Sequence, residues 1–143
     1  MNLKIVSFGY NDPDRFIISR NIRDEVFVKE QGVDHNLEYD GHDTLARHFL
    51  VYENDKPIAT ARWRETSEGI KLERFAVLRE YRNHEKGKAL LLKVLEEVVP
   101  LKKPIYLHSQ DKAVNFYLRN GFIISGSEFY EAGIKHYKMI YSY

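Results

Sequence analysis

The chain has 143 residues, of which 43% are hydrophobic and 30% are charged, and its formal net charge is +1. This length suits a single domain spanning residues 1–143, and the balanced charge predicts neither a nucleic-acid nor a membrane partner. The absence of Cys excludes disulfides, thiolate metal sites and a cysteine nucleophile. Because the chain also has no long apolar run, the sequence predicts a cytoplasmic protein.

The first third of the chain predicts a strand, a helix and a polar loop. Residues 4–8 suit the strand. The helix begins at Asp12 and Pro13, because Asp caps a first turn well and Pro lacks only an N–H that would have no partner there. Apolar residues at helical spacing carry the helix to about Lys29. Residues 30–43 make the loop, whose acidic side chains can attract a cationic substrate.

The polar loop fails a test for a metal site. Its residues 36–41 mimic the first half of an EF-hand, but Arg47 stands at the twelfth position, where calcium requires a bidentate Glu. The histidines of the chain have no zinc-like spacing either. The sequence therefore predicts no metal cofactor.

The middle of the chain predicts an antiparallel meander that leads into a central strand. Residues 48–52 and 57–64 are predicted as strands, and a turn at residues 66–69 opens the central strand, which runs to about Val77. Turns this short force antiparallel pairing, because a parallel return needs a crossover of about a dozen residues.

A polar loop with Arg82, Lys86, Gly87 and Lys88 follows the central strand and precedes a leucine-rich helix. The first N–H groups of a helix lack internal partners and the helix dipole is positive there, so this loop can hold a phosphate, with Gly87 allowing a close backbone approach. A solvated charged turn is the alternative. A Walker A loop is excluded, since Ala89 follows Lys88 where Ser or Thr is required.

The last third of the chain predicts a strand, a short helix and two closing strands. Residues 104–108 follow a helical crossover, so this strand should run parallel to the central one. The short helix spans residues 111–120 and ends at Gly121 as its C-terminal cap. Residues 122–124 and 136–140 are predicted to close the sheet.

These segments contain a pattern that resembles the acyl-CoA signature of the GNAT superfamily of N-acetyltransferases. In that family the loop reads Gln or Arg, two residues, Gly, any residue, then Gly or Ala. Arg82 matches the first position and Gly87 the last, whereas Glu85 stands where the first glycine is usual. The resemblance extends to further residues at the family spacing: Val77, Ala113, Phe116, Tyr117, Gly121 and Phe122.

The resemblance implies an α/β (α+β) fold with a mixed, mostly antiparallel sheet of about seven strands, flanked by helices and splayed between its central strands. The pantetheine arm of acetyl-CoA would lie in that gap along Phe75, Ala76 and Val77, with Gln110 where many relatives carry Asn near the arm. The phosphates would lie against the loop, formed by Arg82, Asn83, His84, Glu85, Lys86, Gly87, Lys88 and Ala89.

The resemblance also implies direct transfer of an acetyl group from acetyl-CoA to a primary amine. Glu73 is the first candidate base, because burial can raise the pKa of a Glu toward the working pH. Strand alternation puts Glu73, Phe75 and Val77 on one face. An ion pair between Glu73 and a basic neighbour is the alternative, and His108 and Glu30 are reserve bases. Tyr117 matches the tyrosine that gives a proton to the departing CoA sulfur.

The amine acceptor is expected to be a small molecule or a peptide. The segment from Arg23 to Val33 resembles the first helix and following loop of a GNAT subgroup, so the acceptor is expected to contact four residues: Arg23, Phe27, Glu30 and Asp40. Two alternatives stay open, a degenerate acyl-CoA-binding or regulatory module and an acyltransferase that uses a longer acyl-CoA. A monomer and a homodimer are both compatible with the sequence.

Overall fold

The computed structural model describes residues 2–143, apart from the side chain of His84. Within these residues, eight strands and four α-helices follow one another along the chain. The elements are β1 (Leu3–Phe8), α1 (Pro13–Arg23), α2 (His35–Glu38), β2 (Arg47–Glu53), β3 (Lys56–Thr66), β4 (Gly69–Val77), α3 (His84–Val98), β5 (Ile105–Gln110), α4 (Val114–Arg119), β6 (Phe122–Ile124), β7 (Phe129–Glu131) and β8 (Ile134–Tyr141). None of the helices in residues 2–143 has the length and apolarity to cross a membrane.

All eight strands belong to one sheet in the order β1, β2, β3, β4, β5, β8, β6, and β7 pairs with β8. Only β4 and β5 pair in parallel among the described strands, so the predicted mixed, mostly antiparallel sheet is confirmed. The sequence missed β7, because three residues are too few to show an alternating pattern. Its turn to β8 uses Ala132 and Gly133, both with positive φ, of 50° and 74°.

The hydrophobic core lies on both faces of this sheet. On one face, α3 contributes buried side chains that pack over β3, β4 and β5, including Leu90, Leu91 and Val94. On the other face, α1 contributes Phe16 and Ile22, and the helical turns after it contribute Val26 and Phe27. Each fully buried Leu, Ile or Phe contributes about 1.5–3 kcal/mol to the stability of the fold. The two helical layers therefore stabilise the central strands from both faces.

The first helix differs from its prediction in type rather than in extent. Asp12 caps it as expected, with its carboxylate accepting a hydrogen bond from the Arg15 backbone N–H at 3.3 Å. After Arg23 the chain continues as a π-helix over Asp24–Glu30. The polar loop that follows is interrupted by α2, which a periodic pattern cannot reveal in four residues.

Two helix ends can be compared with their predictions, the end of α4 and the beginning of α3. Gly121 has a φ of +92° and ends α4 as predicted. The predicted polar loop is shorter than expected, because α3 already begins at His84, and Lys86, Gly87 and Lys88 lie in its first turn. The side chain of His84 lies outside the described part of the chain.

Candidate active site

A cleft opens where β4 and β5 separate. Their parallel pairing covers Ile70 to Leu72 on β4 and Ile105 to Leu107 on β5, and the ladder ends there. Beyond this point the two strands border a cleft of about 770 Å³ that is lined from both faces of the sheet. The predicted splay of the central strands is therefore confirmed. Glu73 and His108 are the first residues past the last pair, and both line the cleft.

A β-bulge interrupts β4 beside this cleft. In the register with β3, the single residue Ala61 lies opposite two residues of β4, Arg74 and Phe75. Arg74 takes up the extra length with a φ of +58°, a left-handed conformation that is uncommon for residues other than Gly. The bulge therefore bends the strand at the mouth of the cleft.

The bulge makes the expected alternation along β4 wrong. Glu73 and Ala76 lie on the α1 face, where Glu73 contacts Arg62 and Ala76 packs into the α1 cluster. Phe75 and Val77 lie on the opposite face and pack against the α3 cluster. Because the bulge adds one residue, it shifts every later side chain of the strand to the other face.

On the α3 face, Tyr117 forms the wall of the cleft. Its ring packs edge to face against Phe75, Phe116 and Phe122. Burial raises the pKa of the Tyr117 hydroxyl, because the apolar surroundings disfavour the phenolate. The hydroxyl therefore keeps its proton at neutral pH.

The start of α3 borders the same cleft. The Asn83 side chain caps the helix, with Oδ1 accepting hydrogen bonds from the backbone N–H groups of Glu85 at 3.0 Å and Lys86 at 3.2 Å. Gly87 lines the cleft, and a Cβ at this position would be 3.6 Å from the Phe116 ring. The absence of a side chain leaves the backbone of this turn open toward the cleft.

Two of the basic side chains expected to hold phosphate are turned to other partners. Lys86 is buried, its Nζ lies 3.1 Å from a Glu53 carboxylate oxygen, and it stands 5.2 Å from the centre of the Tyr81 ring. Arg82 donates two hydrogen bonds to Glu30. Both cations therefore contact carboxylates of the protein itself.

Other expected cofactor contacts have mixed positions. Lys88 is exposed in the first turn of α3, and Ala89 is half-buried one residue further along. Gln110 lines the cleft at the end of β5, where its side-chain amide donates a hydrogen bond to Gln31 Oε1 at 2.8 Å. This bond connects the segment after the π-helix to β5 across the cleft.

Glu73 lies among basic groups. Its carboxylate is 3.0 Å from Arg62, 2.8 Å from Arg64 and 3.2 Å from Lys71. Burial opposes its ionisation, but the hydrogen bond from Arg64 and the charges of Arg62 and Lys71 outweigh burial and lower the pKa of Glu73 to about 2. The expected rise of this pKa is wrong, and the alternative of an ion pair is correct.

Two residues expected to bind the acceptor lie in a buried ionic network outside the cleft. Arg23 is 1% exposed and pairs with Glu38 at 2.5 Å and Asp43 at 2.7 Å. Asp40 pairs with Arg62 at 2.7 Å. Burial raises the pKa of Asp40, but the hydrogen bond and the charge of Arg62 outweigh burial, so this pKa is lowered. Neither Arg23 nor Asp40 is among the residues that line the cleft. They hold the segment around α2 against the sheet.

The cleft is apolar near the π-helix. Phe27, an expected acceptor contact, lines it together with Val26, Val33 and Leu37. Glu30 is turned toward Arg82 and lines a smaller cavity next to Gln31. Of the four expected acceptor contacts, Phe27 is thus the one placed in the main cleft.

The sequence missed several charged residues of this wall. The bulge places Arg74 in this wall. Its Nε lies 2.8 Å from Glu38 Oε2, but the two atoms lack hydrogen-bond geometry. Glu131 is the last residue of β7, and its carboxylate lies 2.7 Å from His108 Nδ1. No group of three or more His, Asp or Glu with metal-site geometry occurs in the described part of the chain.

The sequence of the chain is similar to those of known and predicted acetyltransferases. The family model described as an acetyltransferase (GNAT) domain matches residues 12–143. The Bacillus subtilis protein YyaT is 40% identical over 123 residues, 82% of each chain. The uncharacterized N-acetyltransferase YjcF of the same organism is 37% identical over 122 residues, covering 83% of this chain and 86% of its own.

Solved structures show the same fold. Escherichia coli ElaA superposes with a TM-score of 0.89 at 27% identity, covering 99% of this chain and 100% of its own. The PaiA N-acetyltransferase from Thermoplasma acidophilum, solved in complex with coenzyme A, superposes over both complete chains with a TM-score of 0.73 at 15% identity. Because the family model spans nearly the whole chain and the Bacillus relatives cover more than four fifths of it, the chain belongs to the GNAT family of acetyltransferases.

Proposed function

We propose that this acetyltransferase moves an acetyl group from acetyl-CoA directly to a primary amine of a small molecule or peptide. The observation that carries the proposal is the cleft between β4 and β5, which passes through the sheet. Its α3 side presents a helix start and a protonated Tyr117, and its α1 side presents titratable groups. A donor and an acceptor could thus meet from opposite faces.

The backbone around the bulge suits the pantetheine arm. Past Leu72 the edge of β4 that faces β5 has no strand paired to it in the described sheet, so an extended arm could pair there as an added strand would. An N–H near Phe75 could donate to the thioester carbonyl oxygen and stabilise the negative charge that develops on it. The CoA complex of the structurally similar PaiA supports a CoA site in this fold.

The pyrophosphate would be held at the start of α3. Its backbone N–H groups carry the positive end of the helix dipole, and Gly87 lets an anion approach. For that to happen, Asn83 has to release the N–H groups of Glu85 and Lys86, which it now caps. Lys88 is the exposed cation nearest in sequence to this turn.

The transfer needs no covalent enzyme intermediate. A neutral amine attacks the thioester carbon, the C–N bond forms and the C–S bond breaks, and Tyr117 gives its proton to the departing sulfur. Glu73, paired with three cations, is a weak proton acceptor, and we propose that it holds these cations beside the cleft. The removal of the proton from the amine then falls to another group.

Calorimetry with acetyl-CoA tests this proposal. We expect binding at micromolar strength, about 8 kcal/mol, by both wild type and the Glu85→Gly variant. A thiol assay with a panel of primary amines should then detect free CoA, and propionyl- and octanoyl-CoA in place of acetyl-CoA measure the preferred acyl length. If wild type binds acetyl-CoA but no amine is acetylated, the chain is a binding module. If only the Glu85→Gly variant binds, the carboxylate has disabled the donor site.

A further inference from the structure

His108 occupies the position in the cleft where β4 and β5 separate. It follows Leu107, the last residue of β5 that pairs with β4, and its side chain is about a quarter exposed, at 23%. Its Nδ1 lies 2.7 Å from Glu131 Oε1. Because a carboxylate only accepts hydrogen bonds, Nδ1 carries the proton, and a neutral His108 ring has its lone pair on Nε2.

The ring of His108 is held in place by its neighbours. Phe129 of β7 packs edge to face on it, with 4.9 Å between ring centres. The same Phe129 ring stacks on His136, whose Nδ1 lies 2.7 Å from the Ile134 carbonyl oxygen. Strand β7 thus carries both the carboxylate and the aromatic ring that orient His108.

The charged groups around His108 come from three strands. Glu131 belongs to β7, Lys71 and Glu73 belong to β4, and His136 and Lys138 belong to β8. Lys138 lies directly opposite His108 in the strand register, but its Nζ is 3.3 Å from Glu68. The hydrogen bond from His108 lowers the pKa of Glu131 against the effect of burial, so this carboxylate stays ionised.

The other carboxylates on this side of the cleft are already neutralised by cations. Glu73 pairs with three basic groups, and Glu38 is 2% exposed and lies 2.5 Å from Arg23. Lys71 and Arg74 are cations that cannot accept a proton. His136 is buried and uses its Nδ1 on a backbone oxygen. Among the described side chains that line the cleft, His108 is the more exposed of the two imidazoles, at 23% against 9% for His136, so an acceptor reaches its ring nitrogen more readily.

We propose that His108 Nε2 takes the proton from the acceptor ammonium, and that Glu131 is the positioning residue that fixes the tautomer and orientation of the His108 ring. This inference rests on the proposed acetyl transfer. The acceptor ammonium gives one proton to Nε2, which passes it to solvent, and the freed lone pair forms the C–N bond as the C–S bond breaks. The second proton of the nitrogen replaces the one that Tyr117 gives to sulfur. One proton is released for each amine acetylated.

The test uses two kinds of amine on the full-length protein. A lysine-like amine has a pKa of ~10.4 and an α-amine of a peptide has ~7.8, so at about pH 9 only the lysine-like amine still needs a base. We expect His108→Gln to lower kcat by about 10²–10⁴-fold with a lysine-like acceptor near neutral pH. With an α-amine at about pH 9, His108→Gln should lower kcat by only a small fraction of that factor.

Glu131→Gln should lower kcat with the lysine-like acceptor and leave the Kd of acetyl-CoA unchanged, because the His108 ring loses the carboxylate that fixes its tautomer and orientation. His42→Gln and Glu128→Gln, on exposed residues away from the cleft, are the controls. An equal loss for both amines at every pH, or a His108→Gln variant as active as wild type, would overturn the proposal. A wild-type protein that binds acetyl-CoA but acetylates neither amine would instead contradict the proposed function.

Discussion

Arg82 and Glu30 form a two-pronged ion pair, with Nη1 2.5 Å from Oε2 and Nη2 2.6 Å from Oε1. The pair connects the end of the π-helix to the residue that precedes the cap of α3, and Arg82 Nε also donates to the Val77 carbonyl oxygen at 2.9 Å. The hydrogen bonds from Arg82 lower the pKa of Glu30, so the carboxylate is ionised at neutral pH. This contact spans the end of the cleft assigned to the phosphates.

Glu30→Gln should strengthen acetyl-CoA binding. The substitution removes an anion that competes with the pyrophosphate for Arg82. Because this ion pair is partly exposed, its loss is worth at most about 1 kcal/mol, so the Kd should fall by no more than about fivefold. Calorimetry measures the change, with Glu25→Gln as the control on an exposed pair. A Kd that rises would mean that the pair organises the donor site instead.

Gly87→Ala should affect stability and donor binding in opposite directions. Ala is favoured over Gly inside a helix by about 0.5–1 kcal/mol, and the new Cβ would meet the Phe116 ring at an ordinary 3.6 Å. The methyl group would project where the pyrophosphate approaches, so acetyl-CoA affinity should fall. Urea denaturation and calorimetry on one preparation measure both effects. Unchanged affinity would show that the phosphates do not approach Gly87.

Tyr117→Phe should lower kcat while leaving the Kd of acetyl-CoA almost unchanged. The hydroxyl is the expected proton donor to the CoA sulfur, and losing an acid of this kind typically costs about 10²–10⁴-fold in rate. Thiol release at saturating acetyl-CoA measures kcat, and calorimetry measures the Kd. Phe122→Leu is a control for altered packing, because Phe122 contacts the Tyr117 ring from the core. A variant with normal kcat would remove Tyr117 from the mechanism.

Arg62→Met should destabilise the fold by about 3–5 kcal/mol, because it removes the buried cation that three carboxylates share. Arg62 is 1% exposed and lies between three acids, Asp40, Asp43 and Glu73. Urea denaturation measures the free energy of unfolding. Arg15→Ala breaks an exposed pair with Asp12, which solvent screens, and should cost far less. Equal losses in the two variants would contradict the structural role of the network.

Glu73 should make the fold sensitive to acid in a defined window. Its pKa is about 2 in the folded protein and has an ordinary value of 4.5, so the unfolded state binds the proton first as pH falls. The stability that Glu73 contributes is complete above about pH 4.5 and is lost as pH falls toward about 2. In Glu73→Gln, unfolding free energy should therefore depend less on pH in this window. A Glu73→Gln variant with the wild-type pH dependence would contradict this prediction.

The sequence by itself determined the order of most elements, the parallel pairing of β4 with β5 and the membership in the GNAT family. These depend on local features: the cap at Asp12, the crossover through α3, and the spacing of Tyr117 and Gly121. Each acts over a few residues or one turn, so it can be read from neighbouring positions in the chain.

Only the tertiary structure decided the electrostatics of the candidate site. Arg82 and Glu30 are 52 residues apart in the chain, and His108 and Glu131 are 23 apart. The bulge at Arg74 depends on the register with β3, and it reversed the expected faces of β4. The protonation state of a carboxylate depends on which charges the fold brings within a few ångströms of it, and no local pattern encodes those distances.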